Sequence, residues 1–136
     1  MNINELKNLA ESLIETFLNA GQKAMELRNK GLKITFKSDN SPVTNGDLEV
    51  DKLLRKRIIK TTPNIPLISE ETANLTKNNK YKNFWLVDPI DGTREYINNE
   101  NEFTLNASLI IDLEPAIGVI YAPAKKRLFY SYGNGC

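Results

Sequence analysis

Three groups of acidic residues stand where a chain of this pattern changes direction: Asp47 in TNGD, Glu70-Glu71 after PLIS, and Asp88 with Asp91 in DPIDGT. Carboxylates are hard oxygen donors. Grouped, they suit Mg²⁺, which keeps coordination places for water and phosphate oxygens. Asp88-x-x-Asp91, with Pro89 between, reads as a rigid turn presenting two carboxylates. Gly92 permits close backbone approach. If Gly92 and Thr93 open a helix, unpaired N–H groups and the positive end of the helix dipole face a bound phosphate. The Thr93 hydroxyl can hold an attacking water.

What the chain lacks narrows the chemistry. It has no histidine, which removes Ser-His-Asp triads, Cys-His pairs and His-ligated zinc. Its one cysteine, Cys136, is the last residue, so no intrachain disulfide forms. A terminal thiol without a histidine partner is a poor nucleophile. Carboxylates are then the expected reactive groups, with a bound cation as electrophile. The formal net charge of +1 argues against a nucleic-acid polymer as partner and against a polybasic membrane anchor. No apolar run approaches the roughly 20 residues of a membrane span. The start, MNINELKNLAESLIE, lacks the unbroken apolar core of a secretory signal, so the expected location is the cytoplasm.

These groups need a scaffold, and 136 residues with 40% hydrophobic and 26% charged content suit one ordinary globular domain. Residues 3 to 29 read as a long amphipathic helix, with Leu6, Ala10, Leu13, Phe17, Ala20, Ala24 and Leu27 as its apolar stripe and Gly31 to end it. Residues 32 to 43 read as a strand or hairpin, punctuated by Ser41-Pro42. A second helix starts near Thr44, with Asp47 at capping-box spacing and Val50, Leu53, Leu54 and Ile58 on its apolar face. Pro66 to Ser69 form a short strand, 72 to 83 a polar loop, and Phe84 to Val87 a buried strand. A short helix over about 93 to 98 precedes strands at Thr104–Ile111, Ala116–Tyr121 and Leu128–Tyr132. Turns at Leu113-Glu114-Pro115 and at Pro123 to Lys126 separate them. The pattern alone gives a mixed α and β fold, with two acidic groups directly after strands, where α/β sheets commonly place ligands.

Each group also has a plain structural reading. Asp47 serves as a capping-box acid, Glu70-Glu71 as a solvated pair, and DPIDGT as a Pro-Gly turn with Asx caps. Lys37, Arg94 and Glu95 read as surface charges, and the Trp85 run as core.

Taken together, DNSPVTNGD at 39 to 47, PLISEE at 66 to 71 and WLVDPIDGTREYI at 85 to 97 resemble, in order and separation, the motifs of the inositol monophosphatase superfamily. The segment from 102 to 131 resembles it too. Arg94-Glu95-Tyr96 after the core motif, and Lys37-Ser38-Asp39 before SPVT, are closest to its CysQ-type 3′(2′),5′-bisphosphate nucleotidases. The resemblance implies an α/β layered sandwich with a largely antiparallel sheet and flanking helices. It implies a Mg²⁺-dependent phosphatase that removes the 3′-phosphate of 3′-phosphoadenosine 5′-phosphate to leave AMP, with related members accepting the sulfated nucleotide. On that resemblance Glu70, Asp88, the Ile90 carbonyl and Asp91 ligate magnesium. Asp47 and Thr93 position or activate the water, with Glu70 assisting, and Asp91, Gly92 and Thr93 bind the substrate. The implied mechanism is in-line attack by an activated water, with cations stabilising the attacking and leaving oxygens.

The resemblance also implies proteins roughly twice this length, whose second half adds a metal-ligating aspartate and most of the nucleotide pocket. The expectation is therefore an N-terminal metal- and phosphate-binding domain over residues 1 to 136. Its activity would be impaired by truncation, and it would self-associate or be completed by a separate chain. Two other readings stand beside it: a non-catalytic remnant or metal- and phosphate-binding module, and an inositol monophosphatase.

Overall fold

The computed structural model of the chain describes residues 1–69 and 81–133. Glu70, Glu71, the expected polar loop up to residue 80, and Cys136 lie outside the described residues. Among the described residues, no helix is long and apolar enough to cross a membrane.

Helix α1 (Ile3–Lys30) opens on Asn2, whose side chain accepts the Glu5 N–H, and closes on Gly31 at φ 101°. Its buried stripe includes Leu6, Leu9, Ala10, Leu13, Phe17, Ala20 and Ala24. The expected last member, Leu27, is only half-buried; Arg28, four residues after Ala24, takes the buried place. Strands β1 (Ile34–Phe36) and β2 (Pro42–Thr44) pair antiparallel as the expected hairpin. Helix α2 (Asn45–Thr61) begins at Thr44 with a full capping box: the Thr44 hydroxyl accepts the Asp47 N–H, and the Asp47 carboxylate accepts the Thr44 N–H.

Strands β3 (Leu67–Ser69), β4 (Phe84–Asp91), β5 (Thr104–Ile111), β6 (Glu114–Ala122) and β7 (Arg127–Tyr132) form one sheet in that order. β3 and β4 are parallel, and every other pair is antiparallel. α1 packs against α2 and onto β6 and β7, while α2 packs on β3 and β4. Trp85, Leu105, Leu109, Ile117 and Val119 meet the helices in one core with Leu13, Phe17, Val50, Leu54 and Ile58. Each such buried side chain contributes about 1.5–3 kcal/mol of transfer free energy. The Trp85 indole N–H donates to Thr62 Oγ1 at 3.0 Å, so this interior ring leaves no polar atom unmet. On β6 and β7, Ile120 and Phe129 are paired neighbours and exposed.

Two further local expectations change. The turn expected at Leu113-Glu114-Pro115 is narrower: Asp112 and Leu113, at φ 51° and 66°, form a two-residue hairpin turn, and Glu114 already belongs to β6. Pro115 is tolerated because the β5–β6 register shifts between Leu109 and Ile110, so two residues of β6 face one step of β5. The second change lies at the acidic motif. DPID does not leave the sheet as a turn; β4 continues through Asp91. Asp88 pairs with Asn106 and Asp91 with Thr104, so three steps on β4 match two on β5. This bulge carries the kink that a free turn was expected to supply, and bulges of this kind re-aim side chains.

Candidate active site

The bulged end of β4 passes through Gly92 into α3 (Thr93–Ile97). Gly92 sits in the left-handed region, at φ 91° and ψ 43°. A Cβ there would lie 2.7 Å from the Glu102 carbonyl oxygen. Glycine is thus required twice at this position, for the backbone angle and for the close approach of the next strand's lead-in.

α3 presents Thr93 to Asp47 at the start of α2. Thr93 Oγ1 lies 3.0 Å from Asp47 Oδ1 and 3.3 Å from the Ile90 carbonyl oxygen. The other carboxylate oxygen of Asp47 accepts from the Thr44 backbone N–H at 2.9 Å and the Thr44 hydroxyl at 2.6 Å. Asp47 is buried, with 1% of its surface exposed. The two readings of Asp47 are therefore compatible: Oδ2 closes the cap while Oδ1 faces Thr93. A threonine hydroxyl has one proton and two lone pairs. With that proton given to Asp47 or Ile90, a lone pair remains to accept from a water.

Asp91 is exposed and, with Gly92, Glu95, Glu102, Thr104 and Lys125, lines a cleft of about 350 Å³. A neighbouring cleft of about 260 Å³ is lined by Lys37, Ser41, Ile90, Gly92, Thr93 and Arg94. The residues expected to be plain surface charges thus border the Thr93 side of the site. Asp88 is half-buried, with Oδ1 shielded from solvent, and lines a groove with Leu86, Asn106 and Ser108. The structure thus joins Asp47, Thr93 and the Ile90 carbonyl by hydrogen bonds and sets Asp91 and Gly92 beside them, with Asp88 three residues back along the same strand. Glu70 lies outside the described residues. The strand before it ends at Ser69, in register with Val87, and the Ser69 hydroxyl is tied to Asp51 of α2 at 2.7 Å. Among the described residues, no three Asp, Glu, Cys or His side chains group closely enough to hold a metal ion. Of the expected carboxylate ligands, Asp88 and Asp91 are the two described.

Two residues near the site were given no role of their own. The Tyr96 hydroxyl donates to the Ala24 carbonyl at 2.6 Å. Burial pushes its phenol well above the ordinary value, the nearby Asp47 carboxylate adds to the rise, and Arg28 opposes it. Tyr96 therefore stays a neutral donor. The other is Arg28. Its signal in the sequence is the four-residue step from Ala20 through Ala24, which continues the buried stripe onto a charged residue.

The profile of the Inositol monophosphatase family matches residues 5–136. The chain belongs to the inositol monophosphatase family. The 3′(2′),5′-bisphosphate nucleotidase CysQ of Aggregatibacter actinomycetemcomitans is 35% identical over 126 residues, covering 91% of this chain and 47% of that protein. The chain spans about half the length of the curated relatives it matches. Among solved structures, the extragenic suppressor protein suhB of Bartonella henselae superposes with a TM-score of 0.82 at 20% identity, covering 94% of this chain and 50% of that one. An inositol monophosphatase/NADP phosphatase solved with Mg²⁺ and phosphate gives a TM-score of 0.80 at 19% identity, covering 96% and 49%. At these identities the structural matches establish the fold: an α/β architecture with a mixed, mostly antiparallel sheet and flanking helices.

Proposed function

We propose that this chain carries the water-activating and phosphate-facing half of a Mg²⁺-dependent phosphomonoesterase that takes the 3′-phosphate from 3′-phosphoadenosine 5′-phosphate and leaves AMP. The observation that carries this reading is the 3.0 Å contact of Thr93 with Asp47, set beside the bulged end of β4. Family membership and the likeness to a bisphosphate nucleotidase support it.

The donor chemistry suits magnesium. Asp88, Asp91 and the Ile90 carbonyl offer only oxygen, and the chain has no histidine that would favour a softer metal. Asp88, Ile90 and Asp91, with Glu70 as the further expected ligand, would hold the ion. When bound, Mg²⁺ supplies stabilisation of the charge that develops on the attacking and leaving oxygens. The chain's own residues supply the rest. A water donates to Thr93 Oγ1, and the Thr93 proton passes to Asp47 Oδ1, so the pair both orients the water and takes up its proton. The water oxygen bonds to phosphorus, the bond to the 3′-oxygen breaks, and that oxygen takes a proton from solvent. The backbone of Gly92 and Thr93 faces the phosphate. Arg94-Glu95-Tyr96 after the core motif favours the nucleotide over an inositol phosphate.

The test is phosphate release by monodisperse 136-residue protein with Mg²⁺, on 3′-phosphoadenosine 5′-phosphate and on inositol 1-phosphate. Release is expected to be Mg²⁺-dependent and faster on the nucleotide. In Asp91→Ala it should fall by about a hundredfold or more, as losses of transition-state charge stabilisation do. Equal release by wild type and Asp91→Ala would support a non-catalytic module instead. Faster release from the inositol ester would overturn the substrate assignment.

A further inference from the structure

Helix α3 is five residues long, too short to be stable by its own hydrogen bonds. Thr93 is its first residue, so the water-activating contact is only as well placed as this helix. What holds the helix comes from α1. Arg28 Nη1 donates to the Glu100 carbonyl at 2.7 Å and lies 3.4 Å from the Tyr96 carbonyl, capping the chain where α3 ends. A cation at a helix C-terminus also opposes the negative end of its dipole. The guanidinium lies over two rings, 5.6 Å from the Tyr96 centroid and 5.0 Å from that of Phe103. Those rings pack on each other at 4.9 Å.

Arg28 is buried, with 9% exposed, and its Nε has no hydrogen-bond partner among the described residues. A buried cation met by carbonyls and ring faces is costly for ordinary packing, where an apolar residue would serve. Tyr96 carries the constraint onward. Its hydroxyl is bonded to Ala24, and its ring lies so close to Gly46 that a Cβ there would meet the phenol oxygen at 2.2 Å. Gly46 immediately precedes Asp47. Arg28 and Tyr96 therefore hold α3 from its far end while Tyr96 braces the backbone that carries the Asp47 side of the contact.

We propose that Arg28 is a positioning residue: it locks the C-terminal end of α3 and thereby keeps the Thr93 hydroxyl in register with Asp47. The claim for catalysis rests on the proposed phosphatase reading; the claim for geometry does not. The experiment compares Arg28→Ala and Arg28→Lys with Leu109→Ala, a core change on β5, under conditions where all are folded. Magnetic resonance signals of Thr93 and Asp47 are read first, and Mg²⁺-dependent phosphate release second.

The Thr93 and Asp47 signals are expected to shift in Arg28→Ala, less in Arg28→Lys, and not in Leu109→Ala. The kcat of Arg28→Ala should fall by about tenfold to a hundredfold with KM little changed, as small displacements of a positioned group do. Added guanidinium should restore part of it. Unmoved Thr93 and Asp47 signals, or equal shifts in Leu109→Ala, would overturn the proposal. If Arg28→Ala does not fold, Arg28→Lys decides by the same signals. If the wild-type chain releases no phosphate, the phosphatase reading fails, while the signals still decide the role of Arg28.

Discussion

Asp47→Ala is expected to destabilise the chain by about 3 kcal/mol. The Thr44 hydroxyl still caps the N–H of residue 47, so the loss comes from buried hydrogen-bond partners left unmet, at about 1–3 kcal/mol each. The Thr44 N–H and the Thr44 hydroxyl lose their acceptor, while the Thr93 hydroxyl keeps only the longer contact to the Ile90 carbonyl. Asp47→Asn keeps one carbonyl oxygen and should lose less. Against a typical domain stability of about 5–15 kcal/mol, the loss in the alanine variant is a large fraction of the whole. Urea denaturation read on Trp85, the only tryptophan and fully buried, measures the difference directly. Phosphate release should also drop by about a hundredfold in Asp47→Asn, because the amide cannot take the proton. An alanine variant as stable as wild type would show that these bonds do not hold the helix start.

Gly92→Ala is expected to cost about 2–5 kcal/mol. The left-handed backbone alone accounts for about 1–2 kcal/mol with an L side chain, and forcing a methyl into filled space typically adds about 1–3 kcal/mol. The new methyl meets the Glu102 carbonyl, a backbone atom that cannot rotate away. Gly31→Ala is the matched control. Gly31 has a similar φ of 101°, but a Cβ there meets nothing within 4 Å. It should lose only the conformational part. Comparable losses in the two variants would mean that the close approach of residues 92 and 102 is not a real constraint. The difference in urea midpoint at unchanged m-value is the measurement.

How much of this was legible in the sequence depended on how local the determining physics is. The stripe of α1, the capping box of α2 and the short α3 follow from nearest-neighbour spacing, and all three stand in the structure. The course of DPID did not follow from it. Pro89 and Gly92 suggest a turn, but the strand continues because β5, many residues later, supplies Asn106 and Thr104 as partners. Arg28 had no place in the expected apolar stripe, which ran to Leu27, yet it is buried. Only the tertiary arrangement, two ring faces and two carbonyls, makes a buried guanidinium tolerable there. The Asp47–Thr93 contact spans 46 residues of chain, and its geometry was beyond any local pattern. Which residues were expected at the site came from the acidic groups and the motifs' resemblance; how those described are placed came from the fold.

The most direct test of the central claim, that the end of β4 and the start of α2 form a Mg²⁺ site for phosphate chemistry, is thermal unfolding with and without Mg²⁺. An ion that binds only the folded chain stabilises it by mass action, by about 2.7 kcal/mol at a hundred times its dissociation constant. The Tm of the wild-type chain is predicted to rise by several degrees in Mg²⁺, the rise to shrink in Asp88→Asn, and none to remain in Asp91→Ala. A Tm unmoved by Mg²⁺, or one that rises equally in wild type and Asp91→Ala, would contradict it.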